Sequence, residues 1–178
     1  MKSLTTQLST YKSVHLNHKN IWTHVVGIPL IIWAAALMLS SIEFTVTFTG
    51  TDIKVNLLTI ISLMILGYYF ILSPTLALVA FLLFGPLIYS ALALSSMDHK
   101  WFVAIGAFSI GWIFQFIGHG YEKAKPAFVD DLNQLLIGPL FLLAELCFAC
   151  GKLSDLNKEV TRLAIEKRQV FEKDKIPG

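Results

Sequence analysis

An all-α, polytopic membrane helical bundle is the fold class this chain predicts, and three observations predict it. Hydrophobic types make up 55% of the 178 residues and charged types only 15%, where soluble domains carry about 25% charged. Mean hydropathy is +0.66. The apolar residues also come in long runs: 43 consecutive residues between Lys54 and Asp98 include no Asp, Glu, Lys or Arg. A net charge of +2 without an arginine-rich patch gives no footing to a nucleic-acid partner. Two cysteines, Cys147 and Cys150, are too few for a disulfide scaffold. They read as small hydrophobes in preference to a metal half-site or a redox pair.

The elements follow in order. Ser3–His15 places Leu4, Leu8, Tyr11 and His15 on one helical face with Ser, Thr, Lys and Gln opposite, which predicts an interfacial helix on a membrane surface. The first 20 residues are polar with three lysines, so no cleavable signal peptide is expected. Span one is expected over Ile21–Ser41. The uncharged run is long enough for two spans of ~20 residues, and Ser73-Pro74 divides it into Val55–Leu72 and Thr75–Leu94, because proline cannot continue a helix. Span four covers Trp101–Gly118. A fifth segment, Leu135–Cys150, is short, carries Glu145 and contains Gly138-Pro139, so it is expected to be broken or re-entrant. From Lys152 to Asp174, Leu153, Leu156, Val160, Leu163 and Ala164 line one face of an amphipathic helix whose charges form a solvated face. The domains are then an integral membrane domain, 1–151, which the resemblance given below makes catalytic, and a charged amphipathic cytoplasmic tail, 152–178.

Basic residues orient the bundle. Lys2, Lys12 and Lys19 precede span one, Lys123 and Lys125 follow span four, and the tail carries Lys152, Lys158, Arg162, Lys167, Arg168, Lys173 and Lys175. The loops on the other side carry Lys54 and Lys100 alone. The N-terminus, loop 119–133 and the tail are therefore expected inside, with segment five returning to the side it entered from.

On that topology four of the five histidines share a side. His15, His18, His24 and His119 gather at the inner ends of spans one and four, whereas His99 lies across the membrane. Ionisable groups at membrane depth are costly and invite a functional reading. Gln115, His119 and Glu122 fall within about 60° of one another on one helical face. His15 and His24, nine residues apart, oppose each other on a straight helix and can meet one metal only if the chain bends. Asn17-His18-Lys19-Asn20 supplies a bend. Imidazoles and a carboxylate suit ferrous iron, and zinc fits as well. Isolated histidines at helix ends are commonly interfacial side chains, and spacing by itself names no reaction.

Three stretches resemble a known family. They are Tyr11-x3-His15-x4-Asn20-x3-His24-x2-Gly27-x-Pro29, then Gly111-Trp112-Ile113-Phe114-Gln115-Phe116-Ile117-Gly118-His119-Gly120-x-Glu122-x3-Pro126-Ala127, then Leu135-Leu136-Ile137-Gly138-Pro139 through Glu145. Together they are similar to the 2-hydroxy fatty acid dioxygenases of fatty acid α-oxidation, found in the fungal endoplasmic reticulum and in bacteria. The second stretch is the specific one, and the middle spans match only as apolar helix. The resemblance implies an iron(II)-dependent oxidoreductase. It would use molecular oxygen to cleave C1–C2 of a long-chain 2-hydroxy fatty acid, leaving the acid one carbon shorter. It places the metal on His15, His24 and His119, with Glu122 as a fourth ligand or supporting base. Gln115, Tyr11, Asn20 or Lys123 are left to orient a headgroup. His18 and His99 match nothing in it.

A different class competes: a small transporter or channel subunit relaying protons or ions through Glu145, His119 and His24. A di-iron desaturase would need more histidines, and a metal-free scaffold leaves the shared side of the histidines unexplained. The expected location is an integral one in a bacterial inner membrane, or in the endoplasmic reticulum membrane for a eukaryotic source.

Overall fold

A computed structural model of the chain describes residues 2–129 and 131–173. The chain runs α1 (Leu4–Lys12), α2 (His18–Leu39), β1 (Glu43–Phe48), β2 (Thr51–Asn56), α3 (Leu57–Leu72), α4 (Pro74–Ala93), α5 (Lys100–Glu122), a 3-10 turn (Ala127–Val129), α6 (Gln134–Ala149) and α7 (Ser154–Lys173). It divides into two compact units, Met1–Val25 with Phe114–Gly178, and Val26–Ile113.

The unit Val26–Ile113 is built on apolar helices. Ala36, Leu37, Leu58, Ala91 and Ala104 form a buried cluster, with Trp33, Met38, Leu39 and Ile88 packed against it. Ser73 ends α3 and caps α4, its Oγ accepting from the Leu76 N–H, while Pro74 opens α4 where its missing N–H costs nothing. The division expected at Ser73-Pro74 is therefore the observed one. α2, α4 and α5 are long and apolar enough to cross a membrane, whereas α3 and α6 are apolar but have 16 residues each. At 1.5 Å per residue, 16 residues reach ~24 Å, short of a hydrocarbon core of about 30 Å.

The segment between α2 and α3 corrects the all-helical expectation. Strands β1 and β2 pair antiparallel from Glu43↔Asn56 to Phe48↔Thr51. Thr49 and Gly50 form the two-residue turn, both with positive φ (48° and 81°), as such hairpins require. β2 also absorbs Val55 and Asn56, so α3 starts at Leu57, where the Asn56 side chain accepts from the Thr59 N–H.

In the other unit α1 packs against both α6 and α7. Leu8, Ile137, Leu140, Phe141, Ala144, Val160 and Ala164 are fully buried there. Gln7, Ser9 and Lys12 on the polar side of α1 are buried too. Lys12 Nζ donates to Glu145 Oε1 at 2.6 Å. The fifth apolar segment is one continuous helix through Pro139 rather than a broken one. It ends in a Schellman turn: Gly151 adopts φ 72° and the Lys152 N–H reaches back to the Cys147 carbonyl at 2.8 Å. α7 follows at once. Of its expected apolar face, Val160 and Ala164 are buried and Leu153, Leu156 and Leu163 half-buried. Lys175 and Asp174 lie outside the described residues. Cys147 is half-buried and Cys150 exposed, and both are free thiols, so the expected pair of buried small hydrophobes is only partly found.

Candidate metal centre

α1 stops at Lys12, and this decides where His15 goes. The sequence pattern extends the helix to His15. Instead Ser13 caps the helix, and the chain turns through Val14–Asn17 before α2 begins at His18. The bend falls slightly earlier than Asn17–Asn20 but has the required effect. It lets His15 come back against His24, one turn and a half into α2.

His15, His24 and His119 are all buried, at 0%, 1% and 9% exposure. Their ring centroids stand 4.5, 4.8 and 5.1 Å apart, and one ligating nitrogen from each lies within 4.8 Å of the others. Tyr11 stacks flat on the His15 ring at 4.0 Å, and Phe141 closes a further side at 5.8 Å.

Backbone carbonyls fix two of the tautomers. His15 Nδ1–H donates to the Tyr11 carbonyl at 2.7 Å, and His24 Nδ1–H donates to the Asn20 carbonyl at 2.9 Å. A carbonyl can only accept, so each Nδ1 carries the ring proton and each Nε2 keeps its lone pair. Those two Nε2 atoms are 3.0 Å apart. Two facing acceptors repel unless a cation lies between them. A proton is disfavoured, because burial and then the neighbouring His24 and His119 rings hold the His15 imidazole well below its ordinary range. Nitrogens sharing one metal at ~2.1 Å stand ~3 Å apart, so the donor set fits a metal ion. His119 Nδ1 is buried next to the Ala124 backbone.

The other candidates divide. Gln115 is buried one turn before His119 on the same face of α5, and its Nε2 has no hydrogen-bond partner. Glu122 is buried and lies outside the three-histidine group, although its charge acts on the His119 ring. Its Oε2 accepts from the Asn17 N–H at 2.8 Å and from Asn20 Nδ2 at 3.3 Å. Both carboxylate oxygens are thus occupied outside the histidine cluster, Oε1 by Arg168. His18, His99 and Lys123 are exposed and stay out of the cluster. Asn17, expected only to supply a bend, and Arg168, expected on a solvated face, belong to this neighbourhood.

Gly118 permits the close approach of α5 to the start of α2. A Cβ there would overlap Thr23 Oγ1 and Asn20 Oδ1 and press on His24 Cε1 at 3.2 Å. Gly118→Ala is therefore expected to lower stability by about 1–3 kcal/mol, the usual cost of overpacking, and to weaken metal retention by displacing His24. Gly120 meets nothing within 4 Å, so Gly120→Ala should be tolerated. Thermal unfolding with metal analysis checks both, and equal behaviour of the two variants would contradict the close approach.

Helices able to cross a membrane, together with a buried three-histidine cluster, define a candidate membrane metalloprotein. The chain belongs to the Mpo1-like family, described as 2-hydroxy-palmitic acid dioxygenase Mpo1-like, which matches residues 1–150. It is similar to 2-hydroxy-palmitic acid dioxygenase MPO1 of Saccharomyces cerevisiae, with 33% identity over 170 residues, 94% of this chain and 93% of that protein. No solved structure matches it significantly.

Proposed function

We propose that this protein is an iron(II)-dependent dioxygenase that cleaves C1–C2 of long-chain 2-hydroxy fatty acids. The observation carrying the metal is the pair of lone-pair-bearing Nε2 atoms of His15 and His24 at 3.0 Å, with His119 beside them. The reaction comes from the family and from the yeast relative's name. His15, His24 and His119 hold the ion, which supplies when bound the redox chemistry with O2 that zinc lacks.

The stoichiometry closes without a further reductant. A 2-hydroxy acid plus O2 gives the acid one carbon shorter, carbon dioxide and water. Carbon 2 rises from the alcohol to the acid level and carbon 1 from acid to carbon dioxide, four electrons that reduce O2 fully. The protein's own groups bind and shield. Tyr11 and Phe141 wall the cluster with apolar surface, and the unpartnered Gln115 Nε2 donates to the acid's carboxylate. The alkyl chain enters from the bilayer and stays in apolar surroundings, where each buried CH2 contributes ~0.8 kcal/mol.

With this reading go an inner-side N-terminus, loop 119–133 and tail, and α3 and α6 as short membrane-embedded helices. The location is a bacterial inner membrane, or the endoplasmic reticulum membrane in a eukaryote. The proton-relay reading loses its main support, since Glu145 is engaged by Lys12. Purified protein is expected to contain one iron per chain and to release labelled carbon dioxide from a 1-labelled 2-hydroxy acid only in the presence of O2. Protein loaded with iron that releases none would overturn the assignment.

A further inference from the structure

Helix α7 lies beyond the residues that the family matches, yet it reaches the histidine cluster's supports. Arg168 is the link. Its Nη2 donates to the Glu122 carbonyl at 3.1 Å, and its Nη1 faces Ser13 O at 3.4 Å and Glu122 Oε1 at 3.5 Å. Its side chain is 16% exposed and that of Glu122 only 4%. Lys167 fastens the same helix to α1, donating to Ser9 Oγ at 2.8 Å, Thr10 Oγ1 at 2.6 Å and Thr6 O at 3.2 Å.

Each segment that bears one of the three clustered histidines meets this network. Glu122 follows His119 by one turn at the end of α5. Its carboxylate holds the Asn17 N–H and Asn20 Nδ2. Asn20 Nδ2 also donates to Val14 O at 3.1 Å, next to His15, while Asn20 O takes the His24 Nδ1–H. A buried carboxylate without its cation would draw water or a proton and release those contacts.

We infer that Arg168 of α7 is a positioning residue for the three-histidine centre, acting through Glu122 to hold His15, His24 and His119 in one place. The role of the centre as a metal site rests on the proposed function. The strap itself does not, because it has a readout of its own.

The test uses the full chain in detergent or bilayers, with cobalt(II) as a spectroscopic probe. Arg168→Ala is expected to weaken cobalt affinity about tenfold, the low end for supporting residues outside a ligand set, and to alter the cobalt absorption spectrum. Arg168→Lys should recover part of both. Added guanidinium should restore Arg168→Ala, since a cavity of about 200 Å³ borders Ser13, Val14, Lys167 and Arg168 and admits it. In a Glu122→Gln background, Arg168→Ala should add little further loss. Hydrogen exchange at the Asn17 amide should quicken in Arg168→Ala, and this can be read even if the wild-type chain binds no metal. That outcome would defeat the metal reading and leave the strap standing. Wild-type exchange at Asn17 in Arg168→Ala would overturn the strap. So would an unchanged cobalt spectrum and affinity in a protein that does bind cobalt, or full additivity with Glu122→Gln.

Discussion

His24→Ala is expected to abolish metal uptake and turnover together, and His15→Ala and His119→Ala to do the same. Each ring supplies one of three buried nitrogens within 4.8 Å of one another, so on the proposed function losing one removes a ligand rather than a support. The loss should exceed the ~10–100-fold typical of residues behind the ligands. A metal that binds only the folded state at 100 times its Kd stabilises by ~2.7 kcal/mol. The wild-type unfolding temperature should therefore rise with added iron(II) under anaerobic conditions, and the three variants should not respond. His99 is exposed, and His99→Ala should keep both metal and activity. Full metal content in His119→Ala would sink the assignment.

Turnover should require the 2-hydroxyl group. One O2 accepts four electrons, which is what cleaving a 2-hydroxy acid releases. An unhydroxylated acid begins two electrons lower at carbon 2, so its cleavage to the same products needs an oxidant beyond one O2. The unhydroxylated acid also offers the proposed ion its carboxylate alone, one contact fewer than the 2-hydroxy acid. The unhydroxylated acid is expected to react at least ~100-fold more slowly, measured by O2 uptake against chain-shortened product. Equal rates for both acids, or chain shortening without oxygen, would refute the mechanism.

Most of the helical architecture was legible in order and position. Ser73-Pro74 divided α3 from α4 as expected, and the apolar and amphipathic runs became α2 to α7 with shifts of a few residues. The hairpin was missed although its signal was present. Phe44, Val46, Ile53 and Val55 alternate with polar residues around Thr49-Gly50, a strand pattern masked by the apolar composition on either side. Periodicity extends α1 to His15, because Leu4, Leu8, Tyr11 and His15 share a face, but it does not register that the helix stops at Lys12. Segment five was expected to break at Pro139, but the helix continues through it.

By itself the sequence determined the long apolar helices, the face shared by Gln115 and His119, and a bend near Asn17 that lets His15 approach His24. Those are local properties, set by spacing along one helix or by the turn preference of asparagine. Only the tertiary structure decided which atoms meet. It directed the Nε2 atoms of His15 and His24 at each other by giving their Nδ1 protons to the Tyr11 and Asn20 carbonyls. It joined Glu122 to Asn17, matched Glu145 with Lys12, and brought Arg168 from a supposed solvated face to a buried carboxylate. The physical reason is common to all of them. Periodicity tells which face of a helix a residue occupies, but a buried polar group takes its partner from whatever element packs opposite, and that element lies far away in the chain.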